Sequence, residues 1–351
     1  MTTAAIILAA GGGTRFEGAT HKLRADISGR PVLQHALDAV LATGFDEVIL
    51  VVGDDDYADV VGDTQVSLVT ATKWSDGQAV SLTAGIDHAR ASGHTAVVVG
   101  LADQPLVGTG TWEALRLAEA SPVIAANFGG VRRPPTRLDA SAWDRLPSTG
   151  DAGARVLFSE SPDLVTDVVC SGYPLDVDTV DALARAEQRF SDDEAVHELL
   201  GRKPMGFYEV VARDDAGAPV VLKNFPVLAD GRPMPTLYWL CGERESMLVG
   251  RLEAMKGVRR AEADLGLALV NAVHERYAAE RDAWLDESGV TVAHRPTGGV
   301  GGTRNGLKCL HAHYGYWLAG GDDPVGLWVH EHLHEVDTPH WPAPAEREAL
   351  D

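Results

Sequence analysis

Along the first 190 positions, short unbroken apolar runs alternate with segments in which apolar residues recur every three or four places. Residues 4–9, Glu47–Val52, Val66–Thr70 and Ala96–Leu101 read as strands, the last of the fully buried kind. Between them, residues 31–43 set Val32, Leu33, Leu37, Val40 and Leu41 on one helical face, and residues 79–91 form a second helix. Strands alternating with helices at this spacing predict an α/β fold with a mainly parallel sheet. In such sheets ligands collect beyond the carboxyl ends of the strands. Two ends carry notable residues: Gly11-Gly12-Gly13 follows the first strand, and Asp103 follows Leu101.

The pattern then changes. A charged helix over Val180–Leu200 runs into GRKPMG at residues 201–206, which marks the boundary. We therefore divide the chain into a first domain at 1–190, a helical linker at 191–206 and a second domain at 207–351. Residues 207–213 and 220–225 read as a hairpin about 214–217, and 236–241 as a third strand. A long helical region, 243–286, is interrupted at Gly257 and Gly266. A glycine-rich loop at 297–306 and a histidine-rich end follow. Strands followed by helices predict a separate α+β domain.

Composition narrows the function. The 351 residues suffice for two cores, and no apolar run approaches the ~18 residues that span a bilayer. The opening MTTAAIILAAGGG lacks a signal-peptide pattern, so a cytoplasmic location is expected. Three cysteines make no disulfide framework. A net charge of -21, from 30 basic and 51 acidic residues, argues against nucleic acid and anionic membranes as partners. It leaves room for a local basic pocket that takes one nucleotide.

Such a pocket has candidates. Three consecutive glycines strip side chains from the loop, and Arg15 and Lys22 follow, a combination suited to an anion against the backbone. The loop is neither a dinucleotide fingerprint, since Phe16 stands at the last glycine position, nor a P-loop, since Ala19 follows Gly18.

Leu8-Ala9-Ala10-Gly11-Gly12-Gly13-Thr14-Arg15, Lys22 and Leu101-Ala102-Asp103-Gln104-Pro105 resemble the nucleotidyltransferases related to the molybdenum-cofactor enzymes. Three further stretches join them in order: GQAVSLTAG at 77–85, GDAGAR at 150–155 and DVDT at 176–179. Within that group the chain is most similar to the molybdenum cofactor cytidylyltransferases, over residues 4–185. The resemblance implies a three-layer αβα, Rossmann-like domain that transfers CMP from CTP to a molybdopterin-type cofactor, with Mg²⁺, releasing pyrophosphate. It implies that Leu8, Ala9, Ala10, Gly11, Gly12, Gly13, Gly77 and Ser81 bind the nucleotide. Arg15 and Lys22 would balance the triphosphate, and Asp103 and Asp178 would hold the metal; DVDT suits a helix cap equally well. A phosphate acceptor is largely deprotonated at neutral pH, so no general base is required. Two departures concern the acceptor and Lys22: six residues separate Arg15 from Lys22, and RRPP at 132–135 stands where a Gly-x-Pro stretch is expected. The alternatives are another nucleotide or phosphorylated acceptor, or a non-catalytic nucleotide-binding regulator of the second domain.

The second domain resembles a bacterial domain family of unknown function through Lys223-Asn224, Arg251-Leu252-Glu253, GGVGGTR at 298–304 and KCLHAH at 308–313. No activity comes with that resemblance. Cys309, His311 and His313 share a face if their segment is a strand; in a helix only Cys309 and His313 do. With Cys241 they form a candidate zinc set. The 297–306 loop, with Arg304 and Lys308, suits either an anion or a plain turn. His330-Glu331 and His334 match the H-E-x-x-H pattern, a cheap match in so histidine-rich a tail.

Overall fold

A computed structural model describes residues 2–119 and 121–336; Met1, Ala120 and the last stretch of the expected second domain, 337–351, lie outside the described residues. The chain divides into two compact units, Met1–Phe190 and Ser191–Asp351. Among the described residues no helix is long and apolar enough to cross a membrane.

The first unit is built on β1 (Thr3–Ala9), α1 (Val32–Leu41), β2 (Glu47–Val52), β3 (Val66–Thr70), α2 (Gln78–Ala91) and β4 (Ala96–Leu101). It continues with α3 (Thr109–Leu117), β5 (Val123–Phe128), β6 (Val131–Asp139) and β7 (Val165–Val169). The strands form one seven-stranded sheet in the order β3-β2-β1-β4-β6-β5-β7. β6 runs antiparallel to both neighbours, and every other pairing is parallel. Ile6 and Ile7 point to opposite faces, and both are fully buried, so layers cover the sheet on both sides. Leu82, Ile86 and Ala89 of α2 pack on the Ile6, Val51 and Val97 face. Alternation turns Ile7 and Leu50 to the other face, and α1 and α3 lie side by side.

α4 (Val180–Leu200) runs past Phe190 into the second unit. Its last turns are packed helix. Val196 is buried with Tyr208, Leu222 and Cys241, and Asp192 takes two 2.7 Å bonds from Arg213. The two positions are four apart and so share one helix face.

In the second unit β8 (Tyr208–Arg213), β9 (Pro219–Asn224) and β10 (Tyr238–Leu240) form an antiparallel meander. Helices α5 (Glu243–Ala254), α6 (Gly257–Leu265) and α7 (Leu267–Glu287) follow, then α8 (Leu310–Leu318) and α9 (Pro324–His332). The first helical break falls at Met255 and Lys256, with Lys256 in the left-handed region, and Gly257 opens α6; the second is at Gly266. Tyr277 anchors the core: its hydroxyl accepts the N–H groups of Leu237 at 2.5 Å and Tyr238 at 3.1 Å.

Candidate active site

At the carboxyl ends of β1 and β4 lies a cavity of about 470 Å³. Leu8 to Arg15 form one wall; Gly77, Gln78 and Ser81 from the start of α2, Trp74, Lys22, Asp103 and Asp178 form others. Parallel register explains the assembly. Leu8 pairs with Leu101, the N–H of Ala102 bonds to Leu8 O at 3.1 Å, and both strands deliver their following loops to the same place.

Four charged side chains named from the sequence meet here. Lys22 Nζ donates to Asp103 Oδ2 at 2.5 Å and to Asp178 Oδ1 at 2.7 Å, and Arg15 donates to the other oxygen of Asp178 at 2.7 Å. Burial pulls the Lys22 ammonium down, but the two carboxylates outweigh it and its pKa lies above the ordinary lysine value. Asp178 faces this group rather than capping α4, because the cap is Thr179, whose hydroxyl accepts the N–H of Ala182 at 3.1 Å. Asp103 Oδ1 is buried and has no hydrogen-bond partner. Such an orphaned carboxylate oxygen beside a second carboxylate fits a hard divalent cation, which takes oxygen ligands and completes its shell with phosphates and water. Asp176 sits behind them, accepting from Gln104 at 2.8 Å; burial and the neighbouring Asp103 push its carboxyl above the usual range.

The glycines divide by role. A Cβ on Gly12 would stand 3.0 Å from the Trp74 ring, and one on Gly13 would stand 2.8 Å from His21 Nε2, at a φ of +60°. These two make room for neighbouring rings. Only Gly11 faces open space. His21 latches the loop: its ring nitrogens bond Gly11 O at 3.2 Å and the N–H of Leu23 at 3.3 Å. The long spacing between Arg15 and Lys22 therefore ends in a structural brace that delivers Lys22 to the carboxylates. Gly77 has a φ of +114°, and a Cβ there would lie 2.5 Å from the Gly150 backbone. The 77–85 and 150–155 stretches meet at this point, and Gly150 O accepts the N–H of Ala79 at 2.9 Å.

A second cavity of about 500 Å³ shares Leu8, Gln78 and Leu101 with the first. Arg132, Arg133 and Arg155 all line it, with different commitments. Arg132 is held by two 2.7 Å bonds to Asp167, whereas Arg133 and Arg155 are exposed. Trp74 and His21 carried no sequence signal of their own; Arg155 and Asp176 lay inside quoted motifs but received no role.

In the second unit, Cys309 and His311 come together and His313 does not join them. Cys309 is the extended residue before α8, so helical spacing does not apply to it. Its Sγ lies 3.6 Å from His311 Nδ1, and Glu253 Oε1 lies 3.3 Å from the same nitrogen. Cys309 and Glu253 outweigh burial and hold the His311 imidazolium up at about 10. His313 is fully buried against Asp323, at 2.7 Å, while the other Asp323 oxygen caps α9. The Cys241 thiol donates to Pro219 O at 3.6 Å. Four amides of the 297–306 loop are committed to the fold: Gly299, Gly302 and Thr303 bond within the loop, and Val300 donates to His274 of α7 at 3.1 Å. That reads as a packed turn. His330 and His332 lie against Trp317 and Trp328, with ring centroids 4.7 Å and 3.9 Å apart, and His334 sits in the following 3-10 turn. Among the described residues, Glu253, Cys309 and His311 are the one group of three or more histidine, cysteine or carboxylate side chains close enough together to share a metal ion.

Comparison with known proteins agrees with the two-unit division. Residues 5–165 match the family described as MobA-like NTP transferase domain, and residues 210–331 match a protein of unknown function (DUF501). The bifunctional protein GlmU of Staphylococcus saprophyticus is 34% identical over 114 residues, 32% of this chain and 24% of that protein. The GlmU of Sinorhizobium medicae is 33% identical over 156 residues, 43% of this chain and 32% of its own length. The chain thus spans a third or less of the length of these relatives. Among solved structures, Rv0371c from Mycobacterium tuberculosis is 24% identical, with 54% of this chain and 98% of that one aligned at a TM-score of 0.46. A nucleotidyl transferase from Methanothermobacter thermautotroptrophicus is 22% identical over the same shares, at 0.48. The chain carries a MobA-like NTP transferase domain over residues 5–165 and a DUF501 domain over residues 210–331.

Proposed function

We propose that the first domain is a Mg²⁺-dependent nucleotidyltransferase that moves a nucleotide from a nucleoside triphosphate, CTP in the first instance, to a phosphorylated acceptor, a molybdopterin-type cofactor in the first instance. The observation that carries this reading is Lys22 bound between Asp103 and Asp178, at the mouth of a loop whose Gly11 opens on the cavity. Asp103 and Asp178 would hold Mg²⁺, which supplies charge neutralisation for the phosphates when bound. The backbone of Leu8 to Gly13 cradles the triphosphate, Arg15 and Lys22 offset its charge, and Gly77 and Ser81 border the nucleoside. Transfer forms a bond from an acceptor phosphate oxygen to the α-phosphorus and breaks the α–β bridge, so pyrophosphate leaves. Holding the two reactants in adjoining cavities removes much of the entropic cost of their encounter. The exposed Arg133 and Arg155 on the second cavity favour an anionic acceptor, and that cavity lies where the RRPP departure occurs.

The test is pyrophosphate release by the full-length protein with Mg²⁺, offering each of the four ribonucleoside triphosphates with and without molybdenum cofactor. Release with CTP that requires the cofactor is the expected result. Asp103→Ala should lower turnover at least about 100-fold. Turnover with another nucleotide or acceptor would reassign the substrates. Binding of nucleotide that survives Asp103→Ala, with no turnover in wild type, would make the domain a regulator.

A further inference from the structure

Glu253 lies more than fifty residues of sequence before Cys309 and His311, yet the three converge on one point. His311 uses its outer nitrogen, Nε2, to donate to Ser246 O at 3.0 Å. The inner nitrogen, Nδ1, then presents a lone pair toward the Glu253 carboxylate at 3.3 Å and the Cys309 sulfur at 3.6 Å. Two acceptors facing each other at that range require a positive charge between them, either a proton or a metal ion.

The spacing is one that an ion fits. A tetrahedral zinc with metal–sulfur near 2.3 Å and metal–nitrogen or –oxygen near 2.0–2.1 Å has a sulfur–nitrogen edge of about 3.6 Å and a nitrogen–oxygen edge of about 3.3 Å. Those are the separations found. The outer shell agrees as well. A ligating histidine usually donates its second ring nitrogen to a carbonyl, and Ser246 O receives it; a ligating carboxylate is usually braced, and Glu253 Oε1 accepts the N–H of Leu310 at 2.5 Å. A thiolate beside an imidazole selects zinc over magnesium or calcium.

We propose that Cys309, His311 and Glu253 bind one Zn²⁺ ion, with a fourth position taken by exchangeable water. Cys309 and His311 line a cavity of about 300 Å³, together with Thr303, Lys308 and Tyr238, which gives that water room and gives a small anion a route to it. Binding displaces the thiol proton and any proton on Nδ1. This site stands independently of the nucleotidyl transfer proposed for the first domain.

The test uses the full-length protein and Co²⁺ as a spectroscopic stand-in, with zinc content by elemental analysis. The expected result is one zinc per chain, and for Co²⁺ a sulfur-to-metal charge-transfer band with the intense visible bands of a tetrahedral ion. Carboxylate sites in the first domain cannot produce the sulfur band. Cys309→Ser should abolish it and weaken zinc binding by more than the ~100-fold that outer-shell changes reach. Glu253→Gln should weaken binding while leaving the sulfur band in place at saturating Co²⁺. Absence of the band in folded wild-type protein, or zinc retained unchanged in Cys309→Ser, overturns the proposal and leaves a protonated His311 between the two acceptors.

Discussion

At the scale of single residues, the glycines of the site meet three different demands. Gly12 and Gly13 yield space to Trp74 and His21, while Gly11 borders open cavity and Gly77 sits at a φ no other residue takes cheaply. Gly77→Ala should therefore cost about 2 kcal/mol or more of stability, against under about 0.5 kcal/mol for Gly11→Ala. On the proposed function, Gly11→Ala should nonetheless weaken triphosphate binding, because its methyl group enters the cavity. Denaturant midpoints and nucleotide titration of both variants check this, and the reverse ranking would count against the loop's assigned role. Arg15, Lys22 and Asp103 were legible because each follows a strand whose carboxyl end the α/β pattern points to the ligand, whereas Asp178 came only with the family resemblance. Glu253 was not, since nothing in local spacing links it to Cys309 and His311. Neither the strand nor the helix reading of 309–313 applies throughout, because Cys309 is extended while His311 and His313 lie in α8.

At the scale of elements, the buried runs gave themselves away, and the reversed strand did not. β6 reads VRRPPTRLD, with two prolines and three arginines, and has neither alternation nor an apolar run. It is a strand because β4 and β5 pair with it from both sides. Its Arg137 is buried and donates to the carbonyls of Leu115, Arg116 and Ala118, closing the end of α3. A comparable tie holds the β2–β3 edge of the sheet. Glu47 at the start of β2 accepts from Ser67 of β3 at 2.6 Å and from His88 and His94 at 2.8 Å each. Burial alone would raise its pKa, but these three bonds prevail and hold it at about 2. A depressed carboxylate stabilises the fold above its unfolded pKa and loses that contribution as pH falls through the folded value. Glu47→Gln should thus cost on the order of 1–3 kcal/mol at pH 7, with the gap to wild type narrowing between about pH 4.5 and 2. Thermal unfolding of both proteins across that range measures it; a gap that widens on acidification would contradict the assignment.

At the scale of the whole molecule, the order of elements was sufficient to separate an α/β unit from an α+β unit, and each closes its own core. The hidden part was chemical: the second unit's cavities draw on residues from distant segments, so its sequence motifs could not be read alone. Charge, by contrast, is a property of the entire chain. An excess of 21 negative charges surrounds a pocket whose local cations are few. A polyphosphate arriving from solution therefore meets repulsion first and attraction only at close range. At about 0.01 M ionic strength the repulsion extends roughly 30 Å, and at about 0.1 M only roughly 10 Å. Lys22 is shielded from bulk ions by its burial, so its pull persists as the outer field contracts. Stopped-flow association with a nucleoside triphosphate should accordingly quicken as salt is added over this range, the opposite of electrostatically steered capture. On the proposed function, Arg133 and Arg155 stand at the gate through which the acceptor anion enters, and the ionic strength of the surroundings sets how far from that gate an anion is still turned away.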